Sequence, residues 1–532
     1  MAEKRVDAVV VGAGFGGLYM IHKLREIGLS TQCFEAGDGV GGTWYWNRYP
    51  GARCDVESID YTYSWSEELT KEWTWTERYP SQPEILRYAN YVADKYDLKR
   101  DIQFETRVTE AHFDAASQRW TVRTDRGDEV SAQFCIMATG CLSAPRTPDF
   151  PGIDSFAGDT YHTGQWPHEG VDFTGRRVGV IGTGSSAIQS IPQIAEQASH
   201  LYVFQRTPNF SIPAFNGPID EERQQWVKEH FAAHREQARL SGFGSSNAFN
   251  LEPASAVSPE EQQRQFEEKW GVGGVTFLGS FGDLLFDETS NEAASEFVRR
   301  KIRSIVKDPA TAELLCPKDH PLGSKRLCVD IGYFETYNRD NVTLVDVRSA
   351  PIARITPGGL ELEDGQSFEV DALVFATGFD AMTGTLLRID IRGRDGVSLR
   401  EAWADGPHTY LGLMVAGFPN LFTITGPQSP SVLSNMIMSI EQHVEWLTDL
   451  FVRMRAGGLS TIDATEVAQK EWGEHVEQIA SFTLFPRANS WYVGANVPGK
   501  PRVFMPYIGG IAMYRAKCDE VAANDYEGFV LS

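Results

Sequence analysis

The spacing of apolar positions changes several times along the chain, and the first change is the clearest. Ala8-Val9-Val10-Val11 is an unbroken apolar run, Leu18, Ile21 and Leu24 then recur at helical spacing, and Ser30 to Phe34 forms a second strand-like run closed by Glu35. Strand, helix and strand in that order predict a βαβ unit over residues 6–35. The same alternation restarts at Val178 to Ile181, which runs into another segment of helical period. Between the two, alternating segments over 103–125 read as strands. Phe134-Cys135-Ile136-Met137 reads as a buried strand entering the small-residue turn Ala138-Thr139-Gly140, and Leu373-Val374-Phe375 enters Ala376-Thr377-Gly378-Phe379-Asp380 in the same way. Two such endings make a short internal repeat and predict crossings between two units of like construction.

From about 210 to 322 the pattern turns charged and helical. Helices are predicted over Glu221 to Ala238, Pro259 to Trp270 and Glu292 to Val306, joined by a Gly/Ser-rich stretch near 241–257. This predicts a helical insertion that covers one face, and no residue in it signals chemistry. The stretch Gly41 to Asp55, rich in Gly, Trp and Tyr, is a long loop of the kind that carries function in compact domains. It is expected to lie over the first of two nucleotides.

The strand-to-helix turns supply the reason to expect nucleotides. Gly12-Ala13-Gly14-Phe15-Gly16-Gly17 and Gly182-Thr183-Gly184-Ser185-Ser186-Ala187 each follow a strand and open a helix. In this pattern the first Gly makes the turn, the second admits a pyrophosphate and the third, Gly or Ala, lets helix pack on strand. The positive end of the helix then meets the phosphates. Gly12, Gly14, Phe15 and Gly17 are expected at one nucleotide, and Gly182, Thr183, Gly184, Ser185 and Ser186 at the other.

Glu35, 23 residues after Gly12, can accept hydrogen bonds from ribose hydroxyls and repels a 2′-phosphate, so FAD or NAD fits the first site. The second unit ends its strand on Gln205-Arg206-Thr207-Pro208 with no acid, and a guanidinium there binds a 2′-phosphate. NADPH is therefore expected in the second site, with Arg206 and Thr207 beside the phosphate, which leaves FAD for the first.

Composition narrows the setting. A chain of 532 residues exceeds one core and predicts three or four units, or two large ones with an insertion. A net charge of −23 argues against nucleic acid or an anionic membrane surface as partner. There is no apolar run of spanning length, and the first residues enter a strand without a leader-like segment. A cytoplasmic, small-molecule role is expected. Seven scattered cysteines without a C-x-x-C pair read as small buried hydrophobes, with neither a disulfide framework nor a metal site implied.

Further strings carry a resemblance. Phe156-x-Gly158-x-x-x-His162-x-x-x-Trp166-Pro167 lies before the second fingerprint. Gly42-Thr43-Trp44-Tyr45-Trp46-Asn47-Arg48-Tyr49-Pro50-Gly51-Ala52, Ser324-Lys325-Arg326, Ala376 to Asp380 and Trp491-Tyr492-Val493-Gly494-Ala495-Asn496 support it. The chain resembles the type I Baeyer-Villiger monooxygenases over essentially its whole length, the phenylacetone and steroid monooxygenases more than the cyclohexanone monooxygenases. Pattern and resemblance together give an α/β chain of two Rossmann-like dinucleotide-binding domains, for FAD and NADP, with a helical insertion. The expected divisions are 1–146 and 379–532 for the FAD domain, 147–209 and 323–378 for the NADP domain, and 210–322 for the insertion.

The resemblance implies an NADPH- and O2-dependent flavoprotein that converts a ketone to an ester or lactone through a 4a-peroxyflavin, with sulfoxidation as a side activity. Arg326 is implied as the catalytic cation, held by Asp55. Thr43, Trp44, Asp55, Tyr61, Val108 and Met436 match FAD contacts. Arg53, Lys325, Arg326 and Trp491 match NADP contacts, with Lys325 a second partner for the 2′-phosphate. Ser431, Val432 and Leu433 match the substrate pocket. His162 is read as structural, near a hinge between the domains. Gln428 stands where the phenylacetone and steroid enzymes would have Gly, which leaves substrate scope open along with the oligomeric state, for which a monomer is expected. An amine- or sulfide-oxidising flavin monooxygenase and a noncatalytic redox sensor are the competing readings; a disulfide reductase is disfavoured by the missing C-x-x-C.

Overall fold

The computed structural model describes residues 4–247 and 249–532; the first three residues of the expected FAD domain and position 248 of the insertion lie outside the described residues. Two parallel-cored sheets organise the chain. The larger has eight strands in the order Asp390–Arg392, Val108–Asp114, Arg119–Thr124, Glu129–Met137, Lys4–Val11, Thr31–Phe34 and Ile102–Gln103, with Leu421–Thr423 added to the end of Glu129–Met137. Lys4–Val11 lies between two parallel neighbours, Val9 facing Gln32 on one side and Cys135 on the other. That position explains its unbroken apolar run, because a strand covered on both faces has no polar side to present.

The second sheet has five parallel strands in the order Val342–Asp346, His200–Gln205, Arg177–Ile181, Ala372–Phe375 and Asp159–His162. Each sheet thus takes strands from two separate stretches of sequence. Gly12 and Gly182 hold equivalent places, with φ of +103° and +111°, and a Cβ on either would come within 2.6 Å of the Ala138 or Ala376 carbonyl oxygen. The two strand-Ala-Thr-Gly endings are therefore one device used twice: the small turn of one strand lets the fingerprint of the next close over it.

The helices of the insertion form close to their expected bounds, at Glu221–Arg239, Pro259–Val272 and Glu288–Ile305. The third begins a turn earlier than its apolar period announced, because the Asp287 side chain accepts from the Ser290 amide and caps it. Two short parallel strands, Ser211–Pro213 and Cys328–Asp330, pair where the insertion leaves and returns. No helix among the described residues is long and apolar enough to cross a membrane. All seven cysteines are buried, in line with their reading as small hydrophobes.

Candidate functional site

One cavity of about 1080 Å³ runs between the two sheets and receives both fingerprints. From the first unit Gly12, Gly14, Phe15, Glu35, Thr43, Trp44, Asp55, Tyr61 and Val108 line it, as does Met436 at the start of helix Met436–Gly457. From the second come Gly182, Thr183, Gly184, Ser185, Ser186, Arg206 and Thr207, together with Arg53, Lys325, Arg326, Trp491 and Val432. Three expected residues do not line it. Gly17 packs helix Phe15–Glu26 against the turn at Gly12, and Ser431 and Leu433 are buried to either side of Val432. Gln428 also turns away: its Oε1 accepts from the Thr409 amide and hydroxyl at 2.8 and 2.9 Å, so it braces the core.

Glu35 is buried at the end of its strand. Its carboxylate accepts from the Ala13 amide at 2.7 Å and the Gly37 amide at 2.8 Å, which ties it to the first fingerprint. Burial raises its pKa, and those two amides work against the rise. Each carboxylate oxygen keeps a free lone pair for a hydroxyl donor.

On the opposite side Arg206 is exposed and Lys325 half-buried. Burial lowers the Lys325 pKa, the Arg206 and Arg348 cations lower it further, and Asp319 opposes them. Three cations face one carboxylate here, Asp319, which pairs with Arg348 at 3.2 Å, so the net positive charge suits an anion. Arg53 is more committed than its sequence context announced: its guanidinium pairs with Glu77 and the Tyr79 carbonyl.

The Trp-rich loop is fastened to the second fingerprint's helix, Ser185–Gln197. The Tyr49 hydroxyl donates to Gln189 Oε1 at 2.8 Å, and Gln189 Nε2 donates to the Arg53 carbonyl at 3.0 Å. This fastening places Asp55 beside Arg326, 271 positions away in sequence. Arg326 Nε and Nη2 donate to the two oxygens of Asp55 at 2.8 and 2.7 Å, and Nη1 donates to the Val432 carbonyl at 2.7 Å. Of the five N–H donors of a guanidinium, these contacts use three, and the buried Tyr492 hydroxyl bonds to the same group. Burial works against the charge, yet the Asp55 carboxylate outweighs it and holds the Arg326 pKa above its ordinary value. The result is a fixed cation in the cavity wall.

Two anchoring roles escaped the sequence, although Val432 itself was expected in the pocket. Val432 acts through its backbone carbonyl, which no residue type announces, and Asn209 Nδ2 reaches the Arg326 carbonyl at 3.3 Å and Cys328 Sγ at 3.2 Å.

His162 is wired as a structural residue. Its Nδ1 accepts from the Gly164 amide at 2.9 Å, while Nε2 lies 3.1 Å from the Arg146 carbonyl and 3.4 Å from Thr377 Oγ1. Burial lowers its pKa, which favours the neutral ring that this donor-acceptor pattern requires.

Asp330, on the return strand beyond Arg326, is buried with its oxygens on Ser211 Oγ at 2.5 Å and the Tyr333 amide at 3.1 Å. Burial outweighs those donors and raises its pKa from 3.8 to about 6. A raised carboxylate favours the fold below its ordinary value, and that contribution is lost as pH climbs through about 6. Asp330→Asn should therefore raise the melting temperature at pH 8, a gain of up to about 3 kcal/mol, and change little near pH 4. An equal shift at both pH values, read by thermal denaturation, would disprove the assignment.

The cavity passes a test of fit for two dinucleotides. A Cβ built on Gly184 meets no protein atom within 4 Å, so this glycine faces the open space a pyrophosphate requires. The buried Ser490 hydroxyl borders the cavity without a protein partner, an acceptor and donor left for a ligand.

Comparison with known proteins agrees with this geometry. Residues 3–214 match the family model described as flavin-binding monooxygenase-like. The chain is 44% identical over all of its length to the whole of an acetone monooxygenase (methyl acetate-forming) from Gordonia sp. (strain TY-5). It is also 44% identical, over 99% of its length and 97% of the relative's, to a phenazine N-monooxygenase from Lysobacter antibioticus. Among solved structures, an oxidised steroid monooxygenase bound to NADP superposes with a TM-score of 0.95 at 54% identity, over 99% of both chains.

Proposed function

The chain belongs to the Baeyer-Villiger monooxygenases, FAD- and NADPH-dependent enzymes that turn ketones into esters or lactones with dioxygen, and from that premise we propose how its own residues divide the work. FAD supplies, when bound, the redox centre that takes a hydride from NADPH and activates dioxygen. Gly12, Gly14, Phe15 and Glu35 would hold its dinucleotide, with Thr43, Trp44, Tyr61, Val108 and Met436 around the ring system. Gly182 to Ser186 would cradle the NADP pyrophosphate, Arg206, Thr207 and Lys325 its 2′-phosphate, and Arg53 and Trp491 the remainder. The strands at 4–137 and 390–423 share one sheet and those at 159–205 and 342–375 the other. That sharing supports assigning 1–146 with 379–532 to FAD, 147–209 with 323–378 to NADP, and 210–322 to the insertion. We place the enzyme in the cytoplasm, as a monomer.

The observation that carries the reading is the Arg326–Asp55 pair inside the cavity. Adding an oxygen nucleophile to a ketone puts negative charge on the carbonyl oxygen, and a preorganised cation stabilises that charge where it develops. Asp55 sets the plane of the guanidinium through two parallel bonds, and Val432 fixes its third edge. Val432 and the neighbouring Ser434, which also borders the cavity, would touch the ketone. An enzyme that oxidises only amines or sulfides needs no such cation. The deciding experiment is product analysis of the yellow holoprotein with NADPH, air and linear, aryl, cyclic and steroidal ketones, with an aryl methyl sulfide alongside. Esters or lactones from ketones, with sulfoxide as a lesser product, are expected; N- or S-oxides without any ester would give the family's other chemistry precedence.

Arg206→Ala should weaken NADPH binding by about 10- to 100-fold, the value of a charge-assisted contact, and leave NADH binding nearly unchanged. Equal losses for the two nucleotides in a fluorescence titration would remove Arg206 from phosphate recognition.

A further inference from the structure

The helical insertion reaches the cavity through ionic contacts buried beneath it. Helix Glu221–Arg239 places His234 and Arg235 against the other lobe, where both are almost wholly buried. Arg235 Nη2 donates to Glu441 Oε2 at 2.7 Å, and Nη1 donates to the Asp60 carbonyl at 3.1 Å. His234 Nε2 lies 2.7 Å from Asp60 Oδ1. The Asp60 carbonyl also accepts from Asn435 Nδ2 at 2.6 Å, and Asn435 Oδ1 in turn accepts from the Ile437 amide at 3.0 Å, capping helix Met436–Gly457. Glu441 additionally accepts from the Ser64 amide at 2.5 Å and hydroxyl at 2.7 Å.

The residues gripped in this way share one property. Asp60, Asn435 and Glu441 are each adjacent in sequence to a residue that lines the cavity, namely Tyr61, Met436 and Ile440. Met436 and Ile440 are four apart on one helix and so share a face. A full ion pair with side-chain exposures of 3% and 0% contributes little net stability compared with an apolar pair of the same size, and in some proteins such a pair is kept because it fixes geometry. We propose that His234 and Arg235 are positioning residues for the flavin: by gripping Asp60 and Glu441 they set Tyr61, Met436 and Ile440, so the insertion shapes the cofactor site. This rests on FAD occupying the cavity beside the first fingerprint.

The test compares wild-type holoenzyme with the double variant Arg235→Met/Glu441→Met, which removes both charges at similar volume, and with His234→Leu, which keeps the ion pair and releases the Asp60 side chain together with Ser246 Oγ, 3.2 Å from His234 Nε2. Three quantities are read for each: thermal unfolding, FAD release on dilution followed by fluorescence, and the shape of the bound flavin's visible absorption band. The double variant should unfold within a few degrees of wild type, release FAD with a dissociation constant raised by about tenfold or more, and show an altered band. NADP affinity, set on the far side by Arg206 and Lys325, should stay within about threefold. His234→Leu should move FAD affinity and band shape in the same direction by less. Folded variants with wild-type affinity and spectrum overturn the proposal, and if the double variant fails to fold, His234→Leu alone decides by the same two flavin measurements. A wild-type protein that takes up no flavin would sink the underlying reading instead.

Discussion

Arg326→Ala will still accept electrons from NADPH but will form no ester. The substitution removes the guanidinium pinned by Asp55 and Val432, and with it the cation that would face the carbonyl oxygen. Loss of one neutral donor from an oxyanion site costs about 10²–10³ in rate, and here a full charge goes with it, so oxygen insertion should fall by at least about 10³-fold. Hydride transfer to the flavin develops no comparable anion on the substrate and should remain measurable. Arg326→Lys should recover little, because one ammonium cannot occupy both Asp55 oxygens and the Val432 carbonyl and still face the ketone. Anaerobic stopped-flow reduction and ester quantification in air separate the two steps. Ester formation at the wild-type rate would take Arg326 out of the mechanism.

Gly17→Ala should yield protein that neither retains flavin nor keeps its wild-type melting temperature. A Cβ on Gly17 would stand 1.9 Å from the Gly12 carbonyl oxygen, and no side-chain rotation relieves a clash between a methyl group and backbone. Helix Phe15–Glu26 must then move off the turn, at a cost of about 1–3 kcal/mol or more, and the pyrophosphate loses its cradle. Gly184→Ala provides the contrast. There the added methyl meets no protein atom within 4 Å and φ is −84°, so the protein should fold and hold FAD normally while binding NADPH poorly, because the methyl takes the ligand's space. Flavin-to-protein ratio, melting temperature and NADPH titration on both variants give the comparison. Full flavin occupancy in Gly17→Ala would refute the packing argument.

The parts of this molecule readable in advance are those in which a residue type is required by local backbone. Gly12, Gly17 and Gly182 answer to turns, Glu35 and Arg206 to the ends of the second strands, and the apolar runs to strands buried on both faces. What stayed hidden depends on contacts between distant segments, several of them through a main-chain atom. The Val432 carbonyl holds Arg326 while Ser431 and Leu433, expected in the pocket, are buried on either side, because Ser431 takes φ +40° at the start of a tight turn. Gln428 announced a change in the pocket and braces Thr409 instead. The insertion carried no chemical motif; His234 and Arg235 gain meaning only when Asp60 and Glu441 are brought beside them.

The wiring of His162 has a mechanical corollary. Two separate ribbons, one passing through Arg146 and the other through Thr377, meet at one uncharged ring. The same ribbons are stapled again by their own main chains, the Arg146 amide on the Gly378 carbonyl at 3.1 Å and the Asp380 amide on the Ala144 carbonyl at 2.8 Å, so neither thread can slide past the other there.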